Sequence, residues 1–591
     1  MPPHVFVAST LFVATCAVLV ARSSFRWDGR RYFTLLDDAM ISMQYARNLA
    51  AGHGLVWNAG DTPVEGFSNP LWTLWMWVPH AFGLPDRYAS LWVALSGALA
   101  VAGCAAVYGA IVARLGGSHA RFLVASLVVL CYPLVHWSVL GMEVGLLALG
   151  IGFGIHLALR LEERRDRRSL AALATVLGAL ALVRADGVVP ALAVAAVAVH
   201  RSPGGTRLRL ALVLAGAIAA SLAAQTLARL WYFGDPLPNT YYLKLTGVPL
   251  GARLLRALRA PNLSALAWLA PFAALAAMNG RRLAESGLAY LAAVVVGQLA
   301  YHLYVGGDAW ESQPLPNRYL TTALPALVAL AAPVACRLVG ADPVRSARFF
   351  AYLAAWAAAL LVVDAAKALA FQSVDPVVGA YSMRRALLIA ADLGLAGALL
   401  IGLGVIALAR RARDAALRTV VGPSGGPAPW AVLAALALVC YSGSYRSTLL
   451  PEGIGAGGDR LYALEGLALR RATAPEAVVA AQAIGAVAYF SRRRVADILG
   501  KVDPVIAHLR PRTAFHPGHD RWDYVHTLGI YQPDVVLATL VRDLADARAL
   551  REAHYRRIAT GLYVRRDSRA VHDDALLTAL GLSPTLTTAT P

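Results

Sequence analysis

Charge is scarce in this chain: only 15% of its 591 residues are Asp, Glu, Lys or Arg, and the acids are the scarcer sign, 35 against 54. So little charge beside 58% hydrophobic residues and a mean hydropathy of +0.56 excludes an ordinary soluble fold, which could not bury that much apolar surface. Cysteine is scarce too. The five, Cys16, Cys104, Cys131, Cys336 and Cys440, fall inside apolar segments with no metal-type spacing, so they read as small hydrophobes and no disulfide framework is expected. Also missing are a basic stretch ahead of the first apolar run and a convincing small-residue cleavage site behind it. That run therefore reads as an uncleaved helix rather than a signal peptide. The net charge of +19 could suit a nucleic-acid partner, but its arginines cluster in short loops between apolar runs, where they set membrane orientation. No nucleic-acid partner is expected.

What the chain does have is apolar runs of bilayer-crossing length. Candidate spans lie near residues 5–21, 88–112, 121–138, 144–160, 169–184, 187–200, 208–231, 264–279, 284–304, 318–337, 348–369, 386–409 and 428–446, thirteen in all. Alternate loops are basic: Arg114 to Arg121, "RLEERRDRR" from Arg160, "HRSPGGTRLR" from His200, "NGRR" at Arg281 and Arg282, Arg337 to Arg348, and "RRARDAALR" from Arg410. The positive-inside rule assigns these to the cytoplasm. The other loops then share the extracytoplasmic face, although Arg22, Arg26, Arg30 and Arg31 in the first of them run against that orientation. The Trp-rich stretch from Ser68 is too short to span and reads as an interfacial or re-entrant helix.

The expected architecture is thus an all-α polytopic membrane domain over residues 1–446, a small extracytoplasmic α/β domain over 447–582, and a disordered Thr-rich tail over 583–591. In the second domain, "EAVVAAQAIGAVAYFSRRRVADILGKVDP" has the pattern strand, helix, strand, and "QPDVVLATL" that of a further buried strand.

Two adjacent carboxylates, Asp37 and Asp38, open a segment in which Ile41, Tyr45 and Leu49 recur at helical spacing and Gly52 supplies a stop. One acid at a helix N-terminus is explained by capping and the helix dipole. Neighbouring helical residues point about 100° apart, so the second can face a cavity at the membrane surface and accept a proton from a sugar hydroxyl.

A double acid after the first span, followed by "RNLAAGHGLVWNAGDTPVEGFSNPLW", resembles the polytopic GT-C glycosyltransferases, and among them the terminal β-(1→2)-arabinofuranosyltransferases of mycobacterial cell-wall arabinan. "RADG" at Arg184 is similar to an Arg-Pro-acid-Gly motif, with Ala185 where the pattern has Pro. "YFGDPLPNTYYLK" is similar to a Pro-Asn-Thr motif ending in Lys, and "GGDAWESQPLPNRYL" to a Gly-Gly-Asp motif leading to Arg. "DILGKVDPVIA", "HPGHDRWDYV" and "QPDVVL" fit the same group. The resemblance implies transfer of a sugar, arabinofuranose being one candidate, from a polyprenyl-phosphate donor to an envelope glycan or other extracytoplasmic acceptor. It implies Asp37 or Asp38 as base and Arg184, Lys244 and Arg318 as cations for the donor phosphate. Glu65, Glu143, Asp186, Asn239 and Asp308 are then expected to contact sugar or acceptor.

Each expectation has a plainer competitor. A boundary cation often snorkels or pairs with a nearby acid, Asp186 can pair with Arg184, and Asp308 can cap a helix. Glu143 can be an interfacial acid reaching water, and Glu65 an ordinary loop residue. Trp57, Trp72, Trp75 and Trp77 can stack on sugars or anchor in the headgroup region. His516 and His519 have no third ligand nearby, so they read as a structural loop. No metal residues and no cofactor are assigned, and a divalent ion is left open. Two other classes stay in view: a lipid-linked-sugar transporter or flippase, for which midplane ionisable groups and paired broken helices are missing, and an inactive membrane-anchored glycan-binding protein.

Overall fold

The computed structural model describes residues 3–117, 120–258, 272–309, 316–341, 456–537 and 545–582. Its first part is a helical bundle: α1 (Pro3–Arg22), α2 (Asp37–Ala50), α3 (Pro70–Ala81), α4 (Asp86–Arg114), α5 (Arg121–Val129), α6 (Tyr132–Val139), α7 (Val144–Arg164), α8 (Arg167–Val183), α9 (Val188–Arg201), α10 (Gly204–Tyr232), α11 (Asn239–Leu245), α12 (Leu250–Ala257), α13 (Arg282–Glu285), α14 (Leu288–Val305), α15 (Arg318–Thr321) and α16 (Leu324–Ala341). Among the described residues α1, α4, α7, α10 and α14 are long and apolar enough to cross a bilayer, and α5 with α6 makes a sixth span if this pair, bent by 50°, counts as one. The protein is a multi-pass membrane protein. The break falls at Leu130 and Cys131, just ahead of Pro133, which stands in the first turn of α6 and has no N–H to carry the helical bonding across it. Helices α8 and α9 are shorter, with 17 and 14 residues. The sequence segments 348–369, 386–409 and 428–446 and the first half of 264–279 lie outside the described residues, so the number thirteen stays a sequence expectation. So do "RRARDAALR" and the tail.

The Trp-rich stretch forms α3, 12 residues and about 18 Å long, too short for a span. It buries Trp72, Thr73, Met76 and Pro79 and exposes Leu71, Leu74 and Trp75, the two-faced pattern of a helix lying in the interface. Between α1 and α2 the chain makes a feature not foreseen from the sequence, an antiparallel hairpin of β1 (Ser24–Trp27) and β2 (Arg30–Phe33). Its two turn residues, Asp28 and Gly29, both have positive φ, as the twist-matched two-residue turn requires.

The C-terminal unit runs α17 (Ala456–Ala472), β3 (Val478–Ala481), α18 (Ile484–Ser491), β4 (Arg494–Asp497), α19 (Pro504–Ala507), α20 (Tyr524–Ile530), β5 (Val535–Leu537), α21 (Ala545–His554), β6 (Tyr555–Ala559), β7 (Leu562–Arg565) and α22 (Asp573–Ala579). The sheet order is β4-β3-β5-β7-β6, with β3 parallel to β4 and β5 and with β7 antiparallel to β5 and β6. The strand–helix–strand reading and the further strand in "QPDVVLATL" correspond to β3, α18, β4 and β5. Val479, Val495 and Val535 are buried, as expected of parallel strands covered on both faces.

This unit is docked on the bundle. Phe490 of α18 meets Phe25 and Tyr32 of the hairpin edge-on, with centroids 6.3 and 6.2 Å apart, and the apolar core of the bundle continues into Leu467, Ala486 and Tyr489. At the contact, a Cβ on Gly485 would lie 2.1 Å from the carbonyl oxygen of Asp37. Only glycine lets α18 approach α2 this closely.

Candidate active site

Asp37 and Asp38 are the first two residues of α2, and their side chains part company. Neither caps α2 itself. The Asp37 amide donates instead to Asp459 Oδ1 of α17 (3.0 Å), and Asp37 Oδ1 accepts the Ala486 amide at the start of α18 (2.9 Å). Asp37 thus satisfies an N-terminal N–H of a helix in the other domain, because the start of α18 is packed against its own. Its side chain is buried, and burial pushes the carboxyl up to about 6, against the pull of Lys501. Asp38 points the other way, into a cavity. Burial raises its carboxyl, but Lys501, Arg318 and Lys244 outweigh that and hold it well below the usual carboxylate range. Lys501 Nζ donates to Asp38 Oδ1 at 3.0 Å and Arg318 Nη1 to Oδ2 at 3.1 Å.

The cavity, about 320 Å³, is lined by Asp38, Glu143, Arg184, Asp186, Lys244 and Arg318, with Lys501 and His519 from the C-terminal unit. These groups stand at one end of the bundle: Arg184 ends α8, Lys244 follows α10, Arg318 follows α14, and Asp38 lies beyond the end of α1. The wall of Leu222, Leu237 and Tyr241 is apolar and exposed, so one side of the cavity adjoins the bilayer.

Of the five cations that line the cavity, Arg184, Arg229, Lys244, Arg318 and Lys501, all but Lys244 are already engaged with described residues. Arg184 grips Asp186 through Nε and through Nη2 (2.7 Å), donates to Glu143 from Nη1 (3.2 Å), and lies over the Tyr319 ring. Arg318 pairs with Asp308 (2.9 Å) as well as Asp38. Lys244 makes no ion pair or side-chain hydrogen bond with any described residue; burial, with repulsion from Arg318 and Lys501, pushes its ammonium down to about 8. It is the group in the cavity with most to gain from an anion.

Of the other sequence candidates, Glu143 and Asp186 line the cavity and Glu65, Asn239 and Asp308 stand behind its wall. Glu143 is buried and accepts from Asn69 Nδ2 at 2.8 Å besides Arg184. Glu65 does not line the cavity; it is paired with Arg229, which does, at 2.6 Å. Asp308 likewise stands behind Arg318. Asn239 donates to the carbonyls of Gly500 and Lys501 (2.9 and 3.0 Å), so its amide holds the loop that carries Lys501. Trp57 and Trp72 are buried and donate to the Val495 and Gly141 carbonyls, whereas Trp75 is exposed and packs on Trp92. Among the described residues no group of three or more His, Cys, Asp or Glu could hold a metal.

Sequence reasoning passed over Lys501. It sits in the loop after β4, shaped by Asp497, which accepts the amides of Leu499 (2.8 Å) and Val502 (2.9 Å). Two signals could have found it. The loops after parallel strands are where such units bind ligands, and the chain has only three lysines, Lys244, Lys367 and Lys501, among its 54 basic residues. Two of the three face this cavity.

Comparisons with known proteins agree with this architecture. Residues 460–575 match a domain of unknown function, DUF8728. No curated protein matches the chain. Among solved structures, ArnT from Cupriavidus metallidurans in the apo state is similar at a TM-score of 0.60 and 15% identity over 94% of this chain and 97% of ArnT. The same protein bound to undecaprenyl phosphate gives 0.58 and 16% over the same shares. The arabinosyltransferase EmbB from Mycobacterium smegmatis aligns at a TM-score of only 0.43 and 13% identity, over 80% of this chain and 44% of that one, and carries no argument about the sugar. Over nearly its whole length the chain is similar in fold to ArnT.

Proposed function

We propose that the protein is a membrane glycosyltransferase that moves a sugar from a polyprenyl-phosphate donor to an extracytoplasmic acceptor hydroxyl, in the orientation the basic loops assign. Asp38 takes the proton of the acceptor hydroxyl, the acceptor oxygen bonds to the anomeric carbon, and the bond from that carbon to the phosphate oxygen breaks. The negative charge left on the polyprenyl phosphate is received by Lys244, Arg318 and Lys501. The observation that carries this reading is a carboxylate set among three cations in a cavity that adjoins both lipid and the C-terminal unit, one of them, Lys244, with no ion pair among the described residues.

The ion pairs of Asp38 bear on the order of events. A carboxylate held by Lys501 and Arg318 is a poor base. A donor phosphate attracts the same cations, and as they turn toward it the carboxylate regains basicity. Arg184, its charge already matched by Asp186 and Glu143, serves as a fixed part of the wall, and Asp37 serves the domain contact. The ArnT structure holding undecaprenyl phosphate supports a lipid phosphate as the ligand class. The clustering of the motif residues at one end of the bundle favours an enzyme over a transporter, which places ionisable groups near the midplane. Arabinofuranose, from the motif resemblance, is the first sugar to try. The test incubates the purified protein with a panel of labelled polyprenyl-phosphate sugars and envelope acceptors. Transfer of one sugar, lost in Asp38→Asn, supports the reading; donor binding without transfer from any donor overturns it in favour of a binding protein.

A further inference from the structure

On the opposite side of α2 from this cavity lies a second, basic groove. Arg47 of α2, already donating to the Tyr489 carbonyl and to Gln44 Oε1, stands on one side of it, and Arg492 and Arg494 from the C-terminal unit enter from the other. Arg492 stands at the left-handed end of α18, with φ 53°. The acids at hand are too few. Asp86 is shared by Arg492 (2.6 Å), Arg47 (3.9 Å) and His80 (3.6 Å), and Arg494 has Asp61 at 3.0 Å. A guanidinium has five N–H donors, yet Arg492 and Arg494 each make one such contact with described residues and remain about half exposed. Depth identifies what meets them. Asp86 is the first residue of span α4, and Phe82, just after the interfacial helix α3, is 84% exposed. The groove therefore lies where lipid phosphates run.

We propose that this groove binds the phosphate of an anionic phospholipid headgroup, which bridges Arg47 on α2 to Arg492 and Arg494 on the C-terminal unit. The bridge pins the helix that carries Asp38 to the unit that carries Lys501. Arginine suits the task because its planar fork meets two phosphate oxygens at once.

The test needs no sugar transfer, so it is independent of the proposed enzyme activity. The full chain is placed in nanodiscs of phosphatidylcholine with and without phosphatidylglycerol, and its melting midpoint and the phosphatidylglycerol retained in native mass spectrometry are measured. Wild type is expected to melt higher with phosphatidylglycerol. Arg492→Asn combined with Arg494→Gln, Asn being tolerant of left-handed backbone, should melt as wild type does in pure phosphatidylcholine. It should lose the shift and retain about tenfold less lipid or lower. Asp86→Asn should retain more lipid, because the competing carboxylate is gone; a purely structural role for the arginines predicts no such gain. Arg26→Gln with Arg30→Gln, two exposed charges on the hairpin, should change neither reading. Equal loss in that control would reduce the effect to diffuse surface charge and overturn the site. Wild-type retention in the groove variant would overturn it as well. A full shift produced by glycerol phosphate in detergent would assign the groove to a soluble phosphate and overturn the lipid.

Discussion

Changing Asp37 and Asp38 one at a time to Asn should produce opposite phenotypes, although the two are chain neighbours. Asn at position 38 keeps the shape but cannot take a proton, and general-base catalysis is worth about a hundred- to ten thousandfold in rate, or roughly 3 to 5 kcal/mol of barrier. Lys501 and Arg318, relieved of their carboxylate, stay available to the phosphate, so donor affinity should hold or rise while turnover falls. Asp37 behaves differently because its carboxyl is buried and pushed up to about 6 from an ordinary 3.8. Between those values the folded chain binds more protons than the unfolded one, so stability falls as pH rises through this window. Above it the folded state carries a penalty on the order of 3 kcal/mol. Asn keeps an oxygen for the Ala486 amide and has no charge to bury. Asp37→Asn should therefore melt higher than wild type at pH 7.5, lose that advantage near pH 4, and keep near-normal turnover. Asp37→Ala, which loses the hydrogen bond, should forgo about 0.5 to 2 kcal/mol relative to Asn. The assay pairs transfer from a purified lipid-linked donor with melting curves across pH. Near-normal turnover in Asp38→Asn would refute Asp38 as base, with Asp186, Asp308 and Glu143 the next to change; a melting loss in Asp37→Asn at neutral pH would refute the buried-charge argument.

Lys244 should impose a pH dependence on lipid-phosphate binding. Its charge is lost as pH rises through about 8, so affinity for polyprenyl phosphate, measured by fluorescence competition, should weaken above that pH. Lys244→Gln should bind about ten- to hundredfold more weakly with the inflection gone, and Lys244→Arg should keep affinity without the inflection. Gly485→Ala places a methyl against the Asp37 carbonyl and should destabilise the docking of the C-terminal unit by about 1–3 kcal/mol, seen as faster proteolysis between the domains and a lower midpoint. A cysteine introduced at exposed Thr513 should react with an impermeant reagent from outside the cell, and one at exposed Thr206 only from within; the reverse pattern would overturn the orientation proposed for the site.

The apolar runs were legible because hydropathy and length are local properties: α1, α4, α7, α10 and α14 lie where the runs near residues 5–21, 88–112, 144–160, 208–231 and 284–304 are. The strand–helix–strand pattern of β3, α18 and β4 was legible for the same reason, as was the two-faced Trp-rich helix α3. Residue type and motif also picked out most of the charged groups that line the cavity, since a carboxylate pair or a cation at the end of a span is expensive wherever it faces lipid. What no local pattern holds is which groups meet. Asp38 and Lys501 are 463 residues apart in the chain, and Asp37 receives the Ala486 amide from 449 residues away. The unequal roles of the two acids follow from where α18 packs, which is set by the whole core between the two units. Burial then does what sequence cannot express: it raises the carboxyl of Asp37 and lowers the ammonium of Lys244, while three nearby cations, brought together only by the fold, hold Asp38 ionised.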